Sequence, residues 1–167
     1  RTGVMFAYPT QNGRVHWEKC RKRGIPLEAA IVIGGTPSVG YVSVSRFPYG
    51  VDELAVAGGI AGEALEVVKC KTVDLEVPAH AEIVVEGEFS TKELEPEAPF
   101  GESLGYVGLT EMMPYFTVKC ITHRKNPIWL AFLSQYPPSE SSKIRERSNE
   151  AVVFKYLKYE LGMEHVL

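Results

Sequence analysis

Two carboxylates, Glu97 and Glu102, stand five positions apart in Pro96-Glu97-Ala98-Pro99-Phe100-Gly101-Glu102. Such a pair can do acid/base work, because environment can push two carboxyl pKa values apart until one group gives up a proton. Both prolines fix φ and remove a backbone donor, each biases its predecessor toward extended geometry, and Gly101 permits a turn. The expectation is therefore a stiff loop outside regular structure. On residue types alone, a solvated acidic loop is the commoner reading. His16 and Glu53 form a second candidate pair, since imidazole and carboxylate are ordinary ligands of Mn²⁺ and similar metals. So far apart in sequence, they read more simply as a surface histidine and a helix-start glutamate favoured by the dipole. Ser43-Val44-Ser45 offers small side chains that admit a flat ring or a phosphate tail, or is plain strand alternation.

The elements that must position these residues are mostly β. Val4 to Tyr8 reads as extended up to Pro9, and Asn12-Gly13 signals a turn. His16 to Arg23 suggests a short charged helix stopped by Gly24, and Ile25 to Ile33 a buried strand. Ser38 to Phe47 alternates as a strand or an extended ligand-facing segment would. Asp52 can cap a small-residue helix from Glu53 to Ala61 with Gly62 as its stop. The interior pair Gly58-Gly59, costing roughly 1 kcal/mol per glycine in propensity, implies close packing. Leu65 to Cys70, Val73 to Val77 and Ala81 to Phe89 read as strands, with Ser90 to Gly101 as the acidic loop. Tyr115 to His123 and Ile128 to Ser134 read as two more, joined at Arg124-Lys125-Asn126-Pro127. After the Tyr136-Pro137-Pro138-Ser139 linker, Ser142 to Leu161 turns helical, with Ile144, Ser148, Val152, Tyr156, Leu157 and Leu161 along one face. Many short strands with few helices favour a β-barrel or sandwich over a βαβ sheet.

Composition narrows the function classes. The chain has 167 residues, 45% hydrophobic and 23% charged, which suits one globular domain. A net charge of -3 supplies no electrostatic argument for nucleic acid or an anionic membrane. No apolar run approaches the ~20 residues of a spanning helix. Beginning at Arg1 without a basic-then-apolar leader, the chain is expected to be cytoplasmic and fits a piece of a longer protein. Cys20, Cys70 and Cys120 form no CxxC pair, so they are expected to be buried reduced thiols. Gly34-Gly35-Thr36-Pro37 lacks the GxGxxG spacing, which disfavours a nucleotide-binding α/β fold. A serine-hydrolase elbow is also absent.

Several words in fixed order carry a family resemblance. They are Gly62-Glu63, Val67-Val68-Lys69-Cys70, Asp74-Leu75-Glu76-Val77-Pro78-Ala79-His80-Ala81-Glu82-Ile83-Val84-Val85-Glu86-Gly87, then Glu97-Ala98-Pro99-Phe100-Gly101-Glu102 and Gly105-Tyr106. This run resembles the UbiD family of reversible aromatic-acid decarboxylases, and nearly all of the chain is covered. The family's chain is much longer, so this one reads as its central part. The resemblance implies a mainly β fold with peripheral α: a split β-barrel of the flavin-reductase-like, FMN-binding type. That domain would occupy residues 1–136, with 137–167 as linker and connecting helix toward a C-terminal domain not in this chain.

The resemblance also implies roles. Glu102 would exchange a proton with the substrate carbon as carbon dioxide leaves or arrives, and Glu97 would join an ionic network with an arginine upstream of Arg1. His16 and Glu53 would bind a divalent metal, Mn²⁺ or Mg²⁺, that bridges to the phosphate of prenylated FMN, together with an asparagine also upstream. K⁺ is a further candidate ion. Val15, His16, Ser43, Val44, Ser45 and Glu53 would face the cofactor, which would hold the substrate as an adduct and accept its developing negative charge. The implied substrate is an aromatic or unsaturated carboxylic acid, and the implied assembly of the full-length enzyme is a homo-oligomer. Two alternatives remain: a non-catalytic flavin-binding subunit of a multi-component carboxylase, and a flavin reductase consuming reduced nicotinamide.

Overall fold

In the computed structural model, residues 2–3, 11–97, 99–101 and 105–166 are described, the first two by backbone alone. The chain divides into two units: residues 1–36, 66–101 and 107–130, and residues 37–65, 102–106 and 131–167. The extended reading of Val4 to Tyr8 lies outside the described residues.

The first unit is built on an antiparallel sheet in the order β1-β6-β5-β2. Its strands are β1 (Thr2–Gly3), β2 (Leu27–Ile33), β5 (Ile83–Glu97) and β6 (Glu111–His123). Pairing runs from Leu27↔Phe89 to Ile33↔Ile83 and from Ile83↔His123 to Glu97↔Glu111. Because side chains alternate across a strand, Leu27, Ala29 and Ile31 share one face with Val85, Gly87 and Phe89. That face packs on helix α1 (Asn12–Arg23) around Trp17, Phe89 and Phe116. Phe116 is wholly buried, and its ring lies 4.8 Å from that of Phe89 at 46°. Gly87 makes room for it: a Cβ there would meet the Phe116 ring at 2.8 Å and run into the Thr117 carbonyl. The pairing register shifts at that same point, between Glu86 and Gly87.

The other face meets the two-stranded sheet of β3 (Val67–Lys69) and β4 (Glu76–Pro78). Glu86, 1% exposed, is directed to the turn of that hairpin. Its carboxylate accepts the Lys71 N–H at 2.9 Å from both oxygens, the Thr72 N–H at 2.6 Å and the Thr72 hydroxyl at 2.8 Å. From β2, Glu28 accepts the Asp74 N–H at 3.3 Å. Two strands therefore hold one turn through carboxylates.

The second unit is helical: α2 (Pro37–Val44), α3 (Glu53–Ala61) and α4 (Glu140–Lys155), the last running into a π-helical turn at Tyr156–Glu160. Asp52 caps α3 by accepting the Leu54 and Ala55 N–H groups, and Gly62 ends it at φ 76°. Ser139 caps α4 and forms a reciprocal capping box with Ser142. Helix α2 packs against both α3 and α4.

Four expectations are corrected. Ser38 to Phe47 is neither strand nor extended: Pro37 opens α2, where its missing N–H is no loss, and Ser38 and Val42, four apart, are the residues buried. Asn12-Gly13 begins α1 instead of making a turn. Ile128 to Ser134 forms no strand; the Ile128 N–H that a returning strand would give to β6 goes to the Glu82 carboxylate at 3.1 Å. The close packing expected of Gly58-Gly59 holds for one of them. Gly58 is buried with the Glu63 carbonyl 3.0 Å from where its Cβ would sit, while Gly59 faces open space. The described strands make two open antiparallel sheets, and no closed barrel is formed among them.

Candidate active site

Glu97 ends β5. The segment Ser90 to Glu97, expected to be loop, continues the strand: Leu94↔Pro114, Glu95↔Met113, Pro96↔Met112 and Glu97↔Glu111 are paired. Pro96 is tolerated here because β2 stops opposite Phe89, leaving one side of β5 without a partner strand among the described residues. Among the described residues, Glu97 Oε2 is a buried side-chain oxygen that no donor reaches. A carboxylate oxygen so placed is costly unless a cation or donor meets it. Beyond Glu97, Gly101 and Val107 form an isolated bridge, and the Gly108 N–H bonds the Phe100 carbonyl at 3.0 Å. Glu102 follows Gly101 and lies outside the described residues.

Val15 and His16 sit in α1, with His16 exposed and Val15 partly so. The helix stops at Gly24, whose φ of 71° suits glycine and whose N–H caps the last turn. Its other neighbour, Trp17, is the anchor that sequence reasoning passed over. Trp17 is 3% exposed and donates its indole N–H to the Ser90 carbonyl at 2.8 Å. A lone large apolar residue in an otherwise charged helix was the available signal.

Ser43 and Val44 close α2, and Ser45 follows it. Their hydroxyls turn back on the helix, Ser43 Oγ donating to the Gly40 carbonyl at 2.8 Å and Ser45 Oγ to the Tyr41 carbonyl at 2.9 Å. Each hydroxyl oxygen keeps acceptor capacity. Glu53 is the first residue of α3, half-buried beside its Asp52 cap, and no described residue bonds its carboxylate. The sheet unit thus carries Val15, His16 and Glu97, and the helical unit carries Ser43, Val44, Ser45 and Glu53. Among the described residues, no three His, Cys, Asp or Glu side chains converge as a metal cage.

Two clefts lie elsewhere. One of about 460 Å³ in the helical unit is lined by residues that include Leu133, Tyr136 and Lys143. The other, of about 370 Å³ in the sheet unit, has Glu86 in its lining beside Lys71 and Arg124. Neither includes any of the described candidate catalytic, cofactor or metal residues Val15, His16, Ser43, Val44, Ser45, Glu53 and Glu97. The three cysteines are free and half-buried, not fully buried as expected. Burial, with the Glu86 charge second, pushes the Cys70 thiol up and away from thiolate chemistry.

The first unit is an antiparallel sheet with one packed helix and a strand that ends in a half-buried glutamate, one oxygen of which is buried and unmatched among the described residues; the second unit is helical. The chain belongs to the UbiD family: the family described as 3-octaprenyl-4-hydroxybenzoate carboxy-lyase Rift-related domain matches residues 1–137. A protein of Archaeoglobus fulgidus is 41% identical over 133 residues, 79% of this chain and 28% of that protein. One of Synechocystis is 39% identical over 132 residues, 79% of this chain and 26% of that protein. Among solved structures, the evolved dimeric UbiD-class enzyme HmfF from Pelotomaculum thermopropionicum, in complex with prFMN, aligns with TM-score 0.83 at 36% identity. It is covered over 36% of its length by 93% of this chain. The closed form of Sedimentibacter hydroxybenzoicus vanillic acid decarboxylase aligns with TM-score 0.86 at 29% identity, over 96% of this chain and 34% of that one. The chain therefore spans about a quarter to a third of the proteins it matches. No helix among the described residues is long and apolar enough to cross a membrane.

Proposed function

We propose that this chain is the central domain of a UbiD-type carboxy-lyase that acts reversibly on aromatic or unsaturated carboxylic acids with prenylated FMN. The observation that carries the reading is the buried oxygen of Glu97 at the end of β5, which no donor among the described residues reaches. It fits a carboxylate whose cationic partner, an arginine, is supplied from outside this stretch. The unengaged, half-buried carboxylate of Glu53 likewise fits a group waiting for a cation. The open sheet is compatible with one layer of a flavin-reductase-like split barrel over residues 1–136, with 137–167 leading toward a C-terminal domain. A homo-oligomeric full-length enzyme, as in the dimeric HmfF structure, is part of the same proposal.

When bound, the flavin supplies the electron sink for carbon–carbon bond cleavage. This chain's residues do the rest. His16 and Glu53 would be the residues that hold the divalent metal, and Val15 with Ser43, Val44 and Ser45 would border the cofactor. Glu97 would pair with an arginine supplied from outside this stretch. Glu102 would hand its proton to the substrate carbon once carbon dioxide has left.

The test is Glu102→Gln in the full-length, cofactor-loaded protein, assayed for carbon dioxide release over a panel of cinnamic, hydroxybenzoic and furoic acids. Retained flavin absorbance with release abolished is expected. Release at the wild-type rate would refute the role of Glu102.

A further inference from the structure

We propose that Trp17 is a positioning residue that ties α1, and with it His16, to the bulge in β5 from which the Glu97 arm departs. The inference rests on the reading of His16 as a metal ligand given above. Most residues of α1 are charged or polar, and Trp17 is the one buried among them. A helix seated by one side chain is free to roll and slide unless that side chain is itself fixed.

Three contacts fix it. The ring packs with Phe89 and Phe116 in the core, and its N–H donates to the Ser90 carbonyl at 2.8 Å. Arg14 and Arg21, one turn to either side, place their guanidinium groups 4.7 and 5.3 Å from the ring centroid. Glu18 restrains both cations, at 2.8 Å from Arg14 and 3.9 Å from Arg21. His16 directly precedes Trp17, and at about 100° of rotation per residue its direction follows from that of the indole.

Ser90 is the other end of the tie. Its carbonyl receives Trp17, while its hydroxyl accepts the Lys92 N–H at 3.3 Å and the Glu93 N–H at 2.9 Å. The β5–β6 register is irregular there, between Phe89 and Leu94, and the paired arm to Glu97 begins immediately after. One indole N–H thus joins the helix of a candidate metal ligand to the root of a candidate active-site carboxylate.

The experiment is a Mn²⁺ titration of the FMN-loaded full-length protein, followed by the EPR signal of free Mn²⁺, with hydrogen exchange of the Glu93, Leu94, Glu95 and Glu97 amides measured alongside. Trp17→Phe keeps the aromatic body and deletes the donor. It should weaken Mn²⁺ binding roughly tenfold, as loss of a supporting shell does, and speed exchange in the arm. A lowered melting temperature with unchanged Mn²⁺ affinity and unchanged arm exchange would reduce Trp17 to packing and overturn the inference. Should Trp17→Phe not fold, the double variant Arg14→Gln, Arg21→Gln strips the cations and leaves the indole bond. It should weaken Mn²⁺ binding roughly two- to fivefold, the scale of exposed cation–π contacts, and no change would overturn the proposal. His16→Ala separates the two failures. If it leaves Mn²⁺ affinity intact, the metal-ligand reading falls and takes the His16 half of the inference with it. Arm exchange in Trp17→Phe still decides the Ser90 half.

Discussion

Glu86→Gln changes almost no volume and removes one charge, so it isolates what the buried carboxylate does for the turn at Lys71 and Thr72. The two oxygens accept the Lys71 N–H, the Thr72 N–H and the Thr72 hydroxyl. A glutamine offers one acceptor and turns an NH₂ group toward these donors, leaving a buried N–H unmatched. Hydrogen bonds to charged groups contribute about 1.5–3 kcal/mol and an orphaned donor costs about 1–3 kcal/mol, so a net loss of about 3 kcal/mol is expected at neutral pH. For a chain of 167 residues, at about 2–4 °C per kcal/mol, that is a fall of about 6–12 °C in Tm. Emission from Trp17, in the same unit's core, should follow the transition.

The pH dependence supplies a second check. Burial pushes the Glu86 carboxyl up, but the hydrogen bonds from the Lys71 N–H and from the hydroxyl and N–H of Thr72, with the charge of Lys71, outweigh it. The group is held below its ordinary 4.5. A carboxyl depressed by folding stabilises above its unfolded value and loses that contribution as pH falls through the folded one. The wild type should therefore shed this stability below about pH 4.5, while the glutamine variant has none to shed, and the gap between them should close in acid. A variant matching the wild type at pH 7, or a gap constant down to pH 3, would refute the account.

Two further outcomes test the scaffold. Gly87→Ala drives a methyl into the Thr117 carbonyl and the Phe116 ring; a loss of at least about 1–3 kcal/mol is expected in urea unfolding, and near-wild-type stability would show that the bulge is not needed. Asp52→Ala removes the acceptor for the Leu54 and Ala55 N–H groups. It should cost about 1 kcal/mol and raise hydrogen exchange at the start of α3, the turn that carries Glu53, whereas unchanged exchange there would count against the cap as its support.

Local chemistry was legible wherever one residue decides a backbone choice. Asp52 and Gly62 bounded α3, Gly24 stopped α1, and the ordered words from Gly62 to Tyr106 identified the UbiD family, because capping and turn preferences act over a few residues. What the sequence could not determine turned on partners distant along the chain. Pro96 reads as a strand breaker until β2 is seen to end opposite Phe89, with no described strand beside β5 beyond it. Ser43 to Ser45 alternate like a strand until α3 and α4 are present for α2 to pack against. Glu86 reads as one more charge in a strand, although the turn fifteen residues before it surrounds its carboxylate with donors. Spacing exposes local preferences; only tertiary contact reveals which faces are covered and which carboxylate oxygens, such as Oε2 of Glu97, are buried with no donor among the described residues.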